Sequence, residues 1–373
     1  METTKIGFSE NIMKVLVVTG ASGGHIFPTL SFLDALKDRA KVVETLLILP
    51  KGSLIKQIIP GDYKVRYISI SNIRVRLGFK NFAAILKFFK GSLESLIALL
   101  EFQPDVVVGF GSLVSVPIVL CAWFFRIRTL IHEQNVIPGR ANRLLAKFSD
   151  RIAISFEETK GHFKGSSGKI VFTGNPTRKE LKRLDKNKAL DFFGLGYGKF
   201  TILVMGGSAG SHQINIGFLN AISMISDKPK LQIIHLTGPR DYDLLKESYK
   251  DLSVNIRLFS FLGQMQYAYS ACDLVVCRAG ATTLTEIMLF GLPAIIIPYP
   301  FAYGHQVSNA KVLESKGCAI IIRDNELEGN TLRQAIQDLS NSPDKMKNMR
   351  SHYDSIVRAN PNDLLVDEVL SLN

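Results

Sequence analysis

Cysteine is scarce in this sequence: four residues in 373, with no pair spaced as C-x-x-C. Cys121, Cys272, Cys277 and Cys318 all lie among apolar residues. This argues against a disulfide scaffold or a cysteine metal site, and for buried free thiols in a reducing compartment. Long apolar runs are missing too. The longest, residues 113–125, is interrupted by Ser115 and closed by Arg126, short of the roughly 20 residues that a membrane-spanning helix needs. Residues 1–13 carry no apolar core of a secretory signal, so a cytoplasmic location is expected. No DNA- or RNA-binding motif is present, and aromatic residues interleave with basic ones only in residues 74–90. Acidic residues are outnumbered, 33 against 45 basic, which leaves a formal net charge of +12. That excess favours an anionic partner: a nucleotide, an acidic membrane surface or nucleic acid.

The length suits two domains with separate cores. Apolar strand-like runs alternate with helical patterns throughout, the signature of layered α/β architecture. Residues 15–19 read as a buried strand, followed by Gly20-Ala21-Ser22-Gly23-Gly24-His25 and a helix to about Arg39. Three glycines after a strand let the backbone approach a ligand closely. His25, at the start of the helix, could act as a neutral imidazole base, or simply cap the first turn. Further strands are expected at 42–49, 65–70, 105–109, 128–132, 152–155 and 170–172. His132-Glu133-Gln134-Asn135 sits just beyond one of them, where open α/β sheets bind ligands. After the polar stretch 182–199 the pattern restarts. A strand at 200–205 leads into Gly206-Gly207-Ser208-Ala209-Gly210, and strands follow at 231–236 and 254–259.

The most informative stretch is 273–310. A buried strand, Leu274 to Cys277, turns through Arg278-Ala279-Gly280 into a helical pattern from Ala281 to Phe290. The first N–H groups of such a helix lack partners and its dipole is positive there, so it can hold a diphosphate. Glu286 falls in the first two turns, where a carboxylate could accept from two ribose hydroxyls. His305-Gln306 and Asn309-Ala310 follow a second apolar run and strengthen the reading as a nucleotide site. Residues 74–90 are basic and aromatic together. On a helix Phe79, Phe82, Leu86 and Phe89 share one side, with Lys80, Lys87 and Lys90 off it. Such a helix could lie in a membrane interface; the pattern equally fits a helix that turns its apolar side to the core.

Segments 20–28, 132–135, 174–178, 206–210 and 273–310, taken together and in this order, resemble MurG, the N-acetylglucosaminyltransferase family of peptidoglycan synthesis. The resemblance spans nearly the whole chain. It implies a GT-B architecture, two Rossmann-like doubly wound domains facing across a cleft. Residues 1–174 would take the acceptor and dock to the membrane, 175–354 would bind the UDP-sugar, and a terminal helix in 355–373 would return to the first domain. It implies inverting transfer of N-acetylglucosamine from UDP-N-acetylglucosamine to lipid I, undecaprenyl-diphospho-muramoyl-pentapeptide, giving lipid II at the cytoplasmic face of the inner membrane. No cofactor, metal or nucleic acid is implied. By the same resemblance Ser22, Gly23 and Gly24 would lie at the diphosphate and acceptor junction. His25 would be the base, with Glu133 its rival. Asn135 and Gln306 would touch the donor sugar, Arg178 and Ser208 the nucleotide and its phosphates, and Leu262 the uracil. Ala281, Thr282, Thr283, Leu284 and Thr285 would supply the helix start, and Glu286 the ribose contact.

The chain departs from the family pattern at Ala21, Ala209 and Tyr303-Gly304. Asp241-Tyr-Asp243 has the letters of a metal-binding pair, but acids are favoured at a helix start anyway. Competing readings are another GT-B glycolipid transferase, a UDP-sugar epimerase, and a non-catalytic basic protein that binds membrane or nucleic acid.

Overall fold

The computed structural model describes residues 12–40, 42–52, 59, 61–70, 79–207, 209–301, 304–355 and 360–372, with the backbone alone for 79–85 and 355. The chain divides into two compact units. One comprises residues 1–134, 138–176 and 360–373, and the other 135–137 and 177–359.

In the first unit the chain runs through β1 (Met13–Val18), α1 (Gly23–Arg39), β2 (Val43–Pro50), β3 (Val65–Ile68), α2 (Phe79–Phe102), β4 (Val106–Gly109), α3 (Ser115–Phe124), β5 (Arg128–Glu133), α4 (Arg140–Leu145), β6 (Arg151–Ile154) and β7 (Ile170–Phe172). The strands form a parallel sheet in the order β3-β2-β1-β4-β5-β6-β7. Strands buried on both faces are mostly apolar, which is why they read as near-continuous apolar runs. Along β1, Leu16 and Val18 join the core on one face, and Met13, Val15 and Val17 the core on the other.

The second unit runs through α5 (Lys186–Phe193), β8 (Phe200–Met205), α6 (His212–Ser223), β9 (Leu231–Leu236), α7 (Tyr242–Ser248), β10 (Asn255–Phe259), α8 (Met265–Ala271), β11 (Leu274–Cys277), α9 (Ala281–Phe290), β12 (Ala294–Ile296), α10 (His305–Ser315), β13 (Ala319–Ile321), α11 (Gly329–Ser340) and α12 (Pro343–Ser351). Its sheet is parallel in the order β10-β9-β8-β11-β12-β13. The last helix, α13 (Pro361–Leu370), belongs to the first unit. Leu365, Val366 and Val369 enter the core beside Phe32 and Leu36 of α1, and Arg39 pairs with Asp367 at 2.7 Å.

Two doubly wound units agree with the expected fold class. In each, the strand order reverses beside the first strand: between β1 and β4, and between β8 and β11. Open α/β sheets bind ligands at such switch points, beyond the carboxyl ends of the strands. The glycine loop after β1, the glycine loop after β8 and the start of α9 all lie there. At the first switch point the loops after β1 and β4 touch. A Cβ on Gly20 would come 2.7 Å from Cβ of Ser112, so only glycine fits.

Local structure differs from the sequence reading in places. The polar stretch 182–199 contains α5, capped by Asp185, whose carboxylate accepts from the Lys188 N–H at 3.0 Å, and ended by Gly194 in the left-handed conformation. For α2, whose orientation the sequence left open, the described part of the apolar side does not face the core. Leu86 is 54 % and Phe89 68 % exposed, and Leu93, Ile97 and Leu100 continue the exposed stripe, while Ser95, Ala98, Leu99 and Phe102 are buried. Lys87 and Lys90 are exposed, and the side chains of Phe79, Lys80 and Phe82 lie outside the described residues. Among the described residues no helix is long and apolar enough to cross a membrane.

Candidate active site

In the first unit β1 delivers the chain to Ser22, the N-cap of α1, and His25 follows in the first turn. Ser22 Oγ lies 3.3 Å from His25 Nδ1. Gly111, whose φ of +85° favours glycine, borders the imidazole: a Cβ there would lie in contact with His25 Nε2, at 3.5 Å, and with Asn142 Nδ2, at 3.4 Å. Burial pushes the His25 pKa down to about 4, so the imidazole is neutral at physiological pH and able to accept a proton. Gly23 and Gly24 open α1 on the same loop.

The polar row at the carboxyl end of β5 is turned inward. His132 and Gln134 are buried; His132 Nε2 donates to the Gly174 carbonyl at 3.0 Å, and its Nδ1 accepts from Gln134 Nε2 at 3.0 Å. The buried Glu133 carboxylate accepts from the Gly139 N–H at 3.0 Å and from Asn142 Nδ2 at 2.9 Å. Gly139 is the N-cap of α4, so Glu133 does the capping that glycine cannot. All three side chains serve the backbone at the strand end or the start of α4 as hydrogen-bond partners.

Asn135 parts from its neighbours and joins the second unit. Its Oδ1 accepts from Asn309 Nδ2 at 3.1 Å, while Asn309 Oδ1 accepts from the Val136 N–H at 2.9 Å and His305 Nδ1 donates to the Ile137 carbonyl at 2.8 Å. The first domain expected at 1–174 therefore lacks 135–137, because these side chains of α10 bind that stretch of backbone.

At the second switch point Gly280 is the N-cap of α9 and offers no capping side chain. Ala281 and Thr285 are buried, Thr282 and Thr283 half-buried, and Leu284 faces the core. Glu286 is buried, with Oε2 accepting from the Tyr269 hydroxyl at 2.7 Å and Oε1 3.4 Å from Arg178 Nη2. Burial raises the Glu286 pKa, against the opposing pull of Arg178 and the Tyr269 hydrogen bond. Arg178 Nη1 also donates to the Gly263 carbonyl at 3.3 Å. Arg178, Glu180, Leu181, Gly263, Gln264 and Gln266 line a cavity of about 210 Å3, and Leu262, beside it in sequence, is buried. Gln306 Oε1 accepts from the N–H groups of Ala279 and Tyr299, at 3.1 and 2.9 Å, which fixes its amide between the ends of β11 and β12. Ser208 lies outside the described residues.

The profile of the glycosyltransferase family 28 N-terminal domain matches residues 15–154, and that of the family's C-terminal domain matches 201–360. The chain belongs to glycosyltransferase family 28. It is 40 % identical over 346 residues to the UDP-N-acetylglucosamine--N-acetylmuramyl-(pentapeptide) pyrophosphoryl-undecaprenol N-acetylglucosamine transferase of Halothermothrix orenii, covering 90 % of this chain and 93 % of the relative. Its structure is similar to crystalline MurG of Acinetobacter baumannii, with a TM-score of 0.76 and 26 % identity over 96 % of this chain and 99 % of that one. A UDP-GlcNAc 2-epimerase from Neisseria meningitidis, crystallised with UDP-GlcNAc, has a TM-score of 0.66 at 16 % identity, covering 96 % of this chain and 100 % of that one. At that identity the likeness concerns the fold alone.

Within this family 28 chain, sequence reasoning missed two residues that hold the switch point together. Arg278, read as part of a tight turn, is buried. It donates to Ser211 Oγ at 3.1 and 2.9 Å and to the Ile297 carbonyl at 3.2 Å, and pairs with Asp324. It therefore ties the loop after β8 to the end of β11. A guanidinium directly after a buried strand was the available signal; its partners, scattered from 211 to 324, were not. Tyr269, the second, is a buried aromatic of α8 whose hydroxyl donates to Glu286. Asp241, from the acidic pair, accepts from Asn215 Nδ2 at 2.8 Å and faces His212 Nδ1 at 3.2 Å. Among the described residues no cluster of three metal-ligating side chains occurs.

Proposed function

We propose that the protein transfers N-acetylglucosamine from UDP-N-acetylglucosamine to the muramoyl sugar of lipid I. The observation that carries this reading is full-length kinship with a transferase named for that reaction. The two switch points supply the chemistry. The acceptor hydroxyl attacks the anomeric carbon, its proton passes to His25, and the bond from that carbon to the diphosphate breaks with inversion. Negative charge develops on the departing UDP. The start of α9 and the Arg178 guanidinium supply oriented positive charge for it, which needs no reorganisation during reaction. Glu286 takes the ribose hydroxyls, and Gln306, its oxygen held by backbone, turns its NH2 group to the sugar. Glu133 is a structural cap and His25 the base, since the Glu133 carboxylate is buried and already engaged.

A lipid-anchored acceptor calls for a membrane-docking surface. The exposed stripe of α2 is flanked by Lys87 and Lys90, and the neighbouring α3 ends in exposed Trp123, Phe124 and Phe125. Apolar residues rimmed by lysines suit an acidic bilayer surface.

The test is UDP release from UDP-N-acetylglucosamine, with and without a short-chain lipid I analogue. Release that requires the analogue supports the transfer. Release without acceptor would instead indicate an epimerase or hydrolase, and no release in either case would refute the assignment.

A further inference from the structure

We propose that Tyr269 is a positioning residue for the donor nucleotide, whose buried hydroxyl holds Glu286 Oε2 so that Oε1 is turned to a ribose diol. The inference rests on the reading of Glu286 as the ribose contact. Tyr269 is 1 % exposed and its ring packs on Phe290, 5.1 Å between centroids, so it cannot itself reach a ligand. Its hydroxyl lies 2.7 Å from Glu286 Oε2, whereas Arg178 Nη2 stands 3.4 Å from Oε1. The two oxygens are thus unequal: one is held tightly by a neutral donor from α8, and the other meets a long contact that a pair of ribose hydroxyls can displace. Arg178, once released on that side, still has the Gly263 carbonyl and borders the cavity beside it.

The titratable groups facing Glu286 are Arg178, Tyr269 and, near the Tyr269 hydroxyl, Cys277. Burial pushes Tyr269 well above the usual phenol range and Cys277 up to about 12, so both stay neutral at physiological pH. Burial also raises Glu286, and the Tyr269 hydrogen bond opposes that rise. An ionised carboxylate accepts from the ribose and a protonated one does so poorly. UDP affinity therefore falls as pH falls through the Glu286 pKa. Without the Tyr269 hydroxyl that pKa rises further, and the fall begins at higher pH.

Calorimetric binding of UDP and 2′-deoxy-UDP across about pH 5–8 tests this. Tyr269→Phe keeps the ring and loses the hydroxyl; Tyr269→Met serves if the phenylalanine variant melts early. The expected result is a loss of about tenfold in UDP affinity near neutral pH, an onset of weakening at higher pH, and reduced discrimination against 2′-deoxy-UDP. In the Glu286→Gln background the Tyr269 substitution then has little further effect. If Glu286→Gln abolishes the discrimination while Tyr269→Phe leaves discrimination and pH onset unchanged, the positioning role is overturned and the ribose contact stands. If the wild type does not discriminate, or Glu286→Gln still does, the nucleotide reading of Glu286 fails and the role of Tyr269 falls with it.

Discussion

Replacing His25 with alanine removes an imidazole that burial holds down to about 4. At pH 7, some three units higher, only about one molecule in a thousand carries the extra proton there. The base form is therefore always ready, and its loss is felt in full. A positioned base contributes about 10²–10⁴-fold to rate, equivalent to about 3–5 kcal/mol of barrier. His25→Ala should reduce turnover with a lipid I analogue by that factor. UDP affinity should fall far less than turnover, because Arg178 and Glu286, assigned to the nucleotide, lie in the other unit. The wild-type acid limit set by this group should appear only as pH approaches about 4, since a lowered pKa leaves the imidazole unprotonated above that value. Coupled detection of UDP gives turnover, and calorimetry gives UDP binding. Full turnover in the variant would refute the base assignment. A parallel collapse of UDP binding would show that the substitution acts on the site's structure instead.

Glu133→Ala should lower stability by about 1–3 kcal/mol in a denaturant melt, because Gly139 N–H and Asn142 Nδ2 lose their buried acceptor. Glu133→Gln, which keeps an acceptor, should retain most turnover, and a loss comparable with His25→Ala would restore Glu133 as the base. Arg278→Ala strands the carboxylate of Asp324 in a site only 14 % exposed and should cost about 3–5 kcal/mol; an unchanged melt would contradict the ion pair. Lys87→Glu with Lys90→Glu should weaken binding to acidic vesicles, and Leu86→Ser with Phe89→Ser should weaken it at high salt as well. Undiminished flotation with vesicles would remove α2 as the docking surface.

Much of the fold was legible in the sequence. β7, β8, β9, β11 and α9 occur where the apolar runs and helical spacing place them, because a parallel strand inside a covered sheet is mostly apolar and a polar residue in it, such as Gln232 or His235 of β9, must find a buried partner. The helix α5 was missed although Asp185 and Gly194 mark its two ends, since the stretch between them is largely polar. The direction of α2 was undecidable from periodicity alone. Spacing shows that Leu86 and Phe89 share a side, but not whether another element covers it.

By itself the sequence determined two doubly wound units, glycine loops after their first strands, an acid two turns into α9, and membership of a glycosyltransferase family. These features are local, written in runs of ten or twenty residues. Only the tertiary structure decided what each polar side chain faces. It turned Glu133 inward to the start of α4, moved Asn135 to the second unit through Asn309, bound Arg278 to Ser211 and Asp324, and set the Tyr269 hydroxyl against Glu286. The physical reason is that a buried donor or acceptor must find a partner wherever packing brings one. Such partners lie far away along the chain, at separations that no local pattern encodes.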